Sequence, residues 1–136
     1  MWELVTSPTR RPQWQFGVVQ VNEDVSGGRR GVGTTNHCFH GDNMEAFEEI
    51  VDWKPFRYYT IVGRSPFGEM DMTVEFTPQD DSSTRVSLRM RPRGTPEQIA
   101  TAAQMFGPME QVMRISLDRA VALAGGSEGG GAPAGE

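Results

Sequence analysis

Residues 95–124 read TPEQIATAAQMFGPMEQVMRISLDRAVALA, and this stretch decides the fold. Thr95 stands as an N-cap, Pro96 occupies the first helical position, and Gln98 follows three residues after the cap to close a capping box. Apolar residues then recur at Ile99, Ala102, Ala103, Phe106, Met109, Met113, Leu117, Val121 and Ala124. Those steps of three and four put them on one face of a helix. Glu97, Gln104, Gln111, Arg114 and Asp118 take the other side. Gly125-Gly126 supplies the stop. Gly107-Pro108 falls inside the run. A proline there removes a backbone donor and clashes with the turn before it, at about 3 kcal/mol in a straight helix, so the spacing predicts a kink or break.

Everything upstream reads as strands after a short helical opening. Pro8 and Pro12 forbid a long helix between Trp2 and Trp14, so a helical turn and a second short helix from about Pro8 are predicted there. Strands follow over Gln15–Val25, Val32–His40, Glu45–Trp53 and Phe56–Val62, with Lys54-Pro55 as a bend. Alternation then becomes clean. Met70, Met72, Val74 and Phe76 oppose Asp71, Thr73, Glu75 and Thr77, and Val86, Leu88 and Met90 oppose Arg85, Ser87, Arg89 and Arg91. One dry and one wet face, joined by short turns, predict an antiparallel meander whose dry side the C-terminal helix covers. The class is α+β: a curved antiparallel sheet of about six strands around a long kinked helix. Residues 1–124 form the domain, and the glycine-rich stretch 125–136 is predicted to be a disordered tail.

Composition narrows the function. A net charge of −5 argues against a nucleic-acid surface, which needs a basic field. The single cysteine, Cys38, permits no internal disulfide and no paired-cysteine metal or redox site, and suits a reducing compartment. No apolar run approaches the roughly 20 residues of a membrane span, and the first residues lack a signal peptide's basic start and apolar stretch, so the expected location is the cytoplasm.

Several residues are candidates for chemistry. His37, Cys38 and His40 cluster on one strand, but Cys38 and His40 share a face and His37 takes the other; two ligands do not close a zinc site, so neither a metal nor a cofactor is expected. Glu45, Glu48, Glu49 and Asp52 make an acidic strand. Neither of its faces is purely apolar, so period two leaves the inside open between Phe47, Glu49, Val51, Trp53 and Ala46, Glu48, Ile50, Asp52. An inward Glu49 is the best single candidate for an acid or base. Tyr58 and Tyr59 point to opposite faces, so one of them offers a hydroxyl inward. The loop Gly27–Gly33 is glycine-rich and basic, but no helix follows it to complete a phosphate site; it reads as a hairpin tip.

The chain also resembles a known superfamily. Trp2-Glu3-Leu4-Val5-Thr6-Ser7-Pro8 leading to Trp14, Glu49-Ile50-Val51-Asp52-Trp53-Lys54-Pro55-Phe56, and Thr84-Arg85-Val86 after an acidic turn are similar to stretches of the SRPBCC superfamily. That group includes the START lipid-transfer domains, the birch-pollen allergen family and the polyketide cyclase/dehydrase family. The resemblance covers roughly residues 2–124 and implies the helix-grip plan, with residues 27–33 rimming the mouth of a cavity. The superfamily begins with a strand before its first helix, whereas this chain starts at about that helix's end. A sheet of six strands with a bare edge is the expectation, and a bare edge favours a homodimer.

Under that resemblance the expected function is binding or transport of a small hydrophobic molecule, a lipid or polyketide-like ligand, between sheet and helix. The expected lining is Tyr58, Met70, Met72, Met90, Phe106, Met109 and Met113, in which adaptable methionines suit varied apolar shapes. A polyketide cyclase or dehydratase is the alternative, with Glu49, Tyr58 or His37 as acid or base. An interaction module with a filled core is the third reading.

Overall fold

In a computed structural model the described residues are 1–125; the predicted tail beyond Gly125 lies outside them. Two short helices, α1 (Trp2–Thr6) and α2 (Arg11–Trp14), precede β1 (Val18–Asp24), β2 (Thr35–His40), β3 (Glu45–Lys54), β4 (Tyr58–Ser65), β5 (Gly68–Pro78) and β6 (Thr84–Arg93). Helices α3 (Pro96–Ala103) and α4 (Phe106–Gly125) follow. The six strands form one antiparallel sheet in sequence order, β1 to β6.

Strand starts differ from the sequence reading where helix and turn claim the residues first. Gln15 donates its N–H to the Arg11 carbonyl at 2.8 Å, and Gly17 turns the chain at φ 82°, so β1 begins at Val18. Gly33, at φ 92°, delays β2 to Thr35. Between them a single 3₁₀ turn spans Ser26–Gly28, and Arg30 reaches back to the Glu23 carboxylate at 2.6 Å.

The dry face is as predicted. Tyr59, Val74 and Leu88 share one cross-sheet row, and Ile61, Met72 and Met90 the next. Val74 is 1% exposed. The core gathers Trp2, Leu4, Val5 and Trp14 from the opening helices, Ile50, Tyr59, Ile61, Val74 and Phe76 from the sheet, and Ala120 from α4. The convex face is balanced by charge: Arg89 pairs with Glu75, and Arg91 and Arg93 with Asp71 at 4.0 and 3.5 Å.

The C-terminal helix is two helices. Thr95 and Gln98 form the predicted capping box. The break then comes at Gln104–Met105, where each N–H bonds three residues back, to Thr101 and Ala102. Pro108 explains the place, because its ring clashes with the carbonyl four residues earlier, that of Gln104. The break also rotates the buried stripe. Met113, Ser116 and Ala120 are buried, whereas Ile99 and Val121, expected inside, are 37% and 42% exposed. Small residues at 116 and 120 let α4 approach α1 and α2 closely. The Ser116 hydroxyl accepts from the Phe16 N–H at 2.9 Å and donates to the Val112 carbonyl at 2.7 Å.

Candidate functional site

One row of the sheet's concave face organises the site. Register aligns Glu23, Asn36, Glu48, Gly63, Met70 and Pro92 across all six strands. The row is polar on β1–β3 and apolar on β5–β6, with a glycine at the join.

The polar half is built around a buried ion pair. Arg11 of α2 reaches Glu48 of β3 at 2.6 Å, the two side chains 6% and 10% exposed. The same guanidinium donates to the Gln15 side chain at 2.6 Å and lies 3.5 Å from the Cys38 sulfur. Arg11 sits three residues before Trp14, so one face of this short helix carries both side chains inward. Losing one partner of such a pair strands the other charge, at about 3–5 kcal/mol. Burial opposes the Arg11 cation, but Glu48, Cys38 and Tyr59 together outweigh it and the net pKa is raised. Cys38 is pushed up to about 12, by burial first and by Glu48 next, with Arg11 pulling the other way. A thiol so held stays protonated near neutrality, which disfavours it as a nucleophile. Burial likewise raises Tyr59 and lowers His40. The Asn36 amide nitrogen contacts the second Glu48 oxygen at 3.5 Å, while its own oxygen is buried without a partner.

The apolar half is incompletely covered. Met70, Met72 and Met90 point to the concave side, yet all three are half-buried, as are Phe106 and Met109 of α4; Met113 is buried. A methyl group built on Gly63 would meet only Met70, its side chain at 3.9 Å. Gly63, which carries no side chain, thus forms a lane along the row between the carboxylate of Glu48 on one side and Met70 on the other.

Three expected residues are elsewhere. Tyr58 faces the convex side, opposite Glu75, with its hydroxyl 3.4 Å from Asp52. The inward tyrosine is Tyr59. Asp52 also raises the pKa of Tyr58. Glu49 shares the convex face, registered with Thr35 and Val62, and the inward carboxylate is Glu48. The cause is a bulge between Ile50 and Asp52 that places Glu48, Ile50 and then Trp53 on the concave side. His37 is convex too, stacked on Phe47 and beside Phe39, both 4.2 Å away, with Nε2 3.6 Å from Glu45. It borders a shallow depression of about 470 Å³ shared with Asn22, Asp24, Glu49 and Arg64. Tyr58 lies away from the Glu48–Gly63 lane, whereas His37 and Glu49 face the other side of the sheet but share that depression with Asn36 and Glu48. Sequence reading missed Arg11, Asn36 and Gly63 and named Glu48 only as one of the acidic strand's carboxylates; Arg11 stands beside Arg10 among polar residues of the opening, so no local signal marked it. Among the described residues no three His, Cys, Asp or Glu side chains converge as a metal site, and no helix is long and apolar enough to cross a membrane.

Comparisons agree with this architecture. A protein from Rhodobacter sphaeroides superposes with a TM-score of 0.65 at 20% identity, over 91% of this chain and 83% of that one. A protein from Mesorhizobium loti, MLL2253, gives 0.65 at 14% identity over 93% and 88%. DynU16, a protein of the dynemicin biosynthetic locus, gives 0.63 at 18% identity over 92% of this chain but only 42% of its own length. At these identities the likeness is one of fold. No curated protein matches the chain. The family model described as polyketide cyclase / dehydrase and lipid transport matches residues 1–125, and with it the chain belongs to that branch of the SRPBCC superfamily.

Proposed function

We propose that residues 1–124 form one domain that binds a small hydrophobic molecule, a lipid or polyketide-like ligand, between the concave face and the C-terminal helices. The observation that carries this reading is that Met70, Met72 and Met90, inward residues beside the side-chain-free Gly63, stay half-buried. Covering apolar surface there is worth about 25 cal/mol per Å², which is the driving force for binding. The half-buried Met109 and Phe106 of α4 are the helix residues assigned to the ligand, and a cytoplasmic setting, in which the lone thiol stays reduced, completes the picture. The free edges of β1 and β6, each with one neighbour among the described strands, support a homodimer as its assembly.

The test is Gly63→Val. Gly63 is not at positive φ, an added Cβ would sit in ordinary contact with Met70, and valine favours strands, so the variant is expected to fold. Its side chain fills the lane. Native mass spectrometry and thermal shift against hydrophobic extracts are expected to detect bound species with the parent and none with the variant. Equal ligand recovery from both would remove the lane from the mechanism.

A further inference from the structure

The convex face of the sheet holds a site of its own, independent of the concave lane. We infer that the depression over β1–β4 binds a small, flat organic cation, such as an aryl amidinium. Its volume of about 470 Å³ falls within the roughly 300–1,000 Å³ of small-molecule sites. Two cross-sheet rows build it. Register aligns Asn22, His37, Phe47 and Arg64 in one row, and Asp24, Thr35 and Glu49 in the next. The rows lie two residues apart along each strand, so their side chains share one face. Every one of these residues lines the depression.

The charges around it are unequally answered. Glu48 pairs with Arg11 and Glu23 with Arg30, each at 2.6 Å, and Arg64 is held by Glu69 at 2.5 Å. Asp24 and Glu49 make no ion pair among the described residues. They flank Thr35 on either side, so two uncompensated carboxylates face one gap two strand spacings wide, about 10 Å between backbones. The neighbouring row supplies an aromatic wall. His37 stacks on Phe47 at 4.2 Å, yet Phe47 stays 49% exposed. The cation seated over a ring among the described residues is Arg119, over Phe16, so no cation of the chain occupies Phe47. A ring face and a carboxylate attract the same sign of charge, and a flat cation meets both at once. An anion meets repulsion, and a neutral ring gains the stacking alone. A metal ion is a poorer occupant, because no three His, Cys, Asp or Glu side chains converge among the described residues.

The experiment titrates the isotopically labelled protein with benzamidine, benzamide and benzoate at neutral pH and follows its backbone amides by NMR. The three probes share a ring and differ mainly in charge. Benzamidine is expected to shift the amides of Asn22, Thr35 and Phe47 and to bind about tenfold more tightly than benzamide, as a ring contact and two exposed ion pairs together give. Benzoate is expected not to bind. Glu49→Gln and Asp24→Asn keep side-chain size on the outer face, so the fold is retained. Each is expected to weaken benzamidine about threefold while leaving benzamide unchanged, and added salt to narrow the difference between the two probes. Equal affinity for benzamidine and benzamide, a preference for benzoate, or a benzamidine affinity untouched by both variants would overturn the inference. Shifts confined to Met70, Met72 and Met90 would also overturn it, because the probe would then occupy the concave lane. Absence of any benzamidine-induced shift in the parent would overturn it as well.

Discussion

At the scale of single residues, the interior is governed by an arginine that the sequence presents as one of a surface-like pair. Arg10 is exposed, whereas Arg11 is buried against Glu48 and Cys38. This environment makes a pH prediction. The Cys38 thiol ordinarily titrates at 9.0 and is pushed up to about 12 in the fold. Below pH 9 the thiol is protonated in both folded and unfolded chains and contributes nothing to the pH dependence. Between pH 9 and 12 the unfolded chain loses this proton and the folded chain keeps it, so stability falls as pH rises. The slope is at most about 1.4 kcal/mol per pH unit from this group. Tyr59, also raised, adds to the fall above pH 10. Urea unfolding from pH 8 to 11 is expected to show the decline, and Cys38→Ala to make it shallower. An identical slope in the variant would mean that Cys38 does not contribute.

At the scale of elements, what was legible depended on whether local chemistry or tertiary register set the outcome. The capping box of α3 was readable because cap and first turn are fixed by neighbouring residues. Thr95→Ala is expected to cost about 1 kcal/mol, measured by chemical denaturation, since both the Thr95 hydroxyl bond to the Gln98 N–H and the reciprocal bond are present. A loss below a few tenths would mean that the helix start is held by packing on β6 instead. Strands β5 and β6 were readable because nothing interrupts their alternation. Strand β3 was not. Its bulge at Val51 changes which residues face inward partway along the strand, and only pairing with β4 reveals the place. Glu49 was therefore favoured where Glu48 points in. Tyr58 was favoured over Tyr59 for a related reason, because alternation alone does not say which parity is inside. The stripe of α4 was misread because the break before Pro108 resets the helical phase, so spacing counted from Ile99 no longer applied to Ser116 and Ala120.

At the scale of the molecule, stability and the candidate binding function occupy different ends of the same concave face. The well-packed end is aromatic. Trp2 meets Trp53 at 4.9 Å, Phe76 at 5.0 Å, Phe56 at 5.7 Å and Tyr59 at 6.0 Å, mostly edge to face. Such geometry adds to what burial of an indole already supplies. The other end, around Met70 and Met90, is half-buried and contributes less to the fold. Paired substitutions separate the two. Trp2→Ala removes a fully packed side chain and is expected to cost about 3–5 kcal/mol of stability. Met90→Ala deletes atoms already partly in water, so its cost is expected to stay below the roughly 2–5 kcal/mol of a buried methionine. It enlarges the lane, so affinity for a bound apolar molecule falls while the melting temperature barely moves. Calorimetric melting and ligand titration of both variants test the division. If Met90→Ala proved as destabilising as Trp2→Ala, the methionine end would be ordinary core, and the space over Gly63 would be too tightly held to admit a ligand.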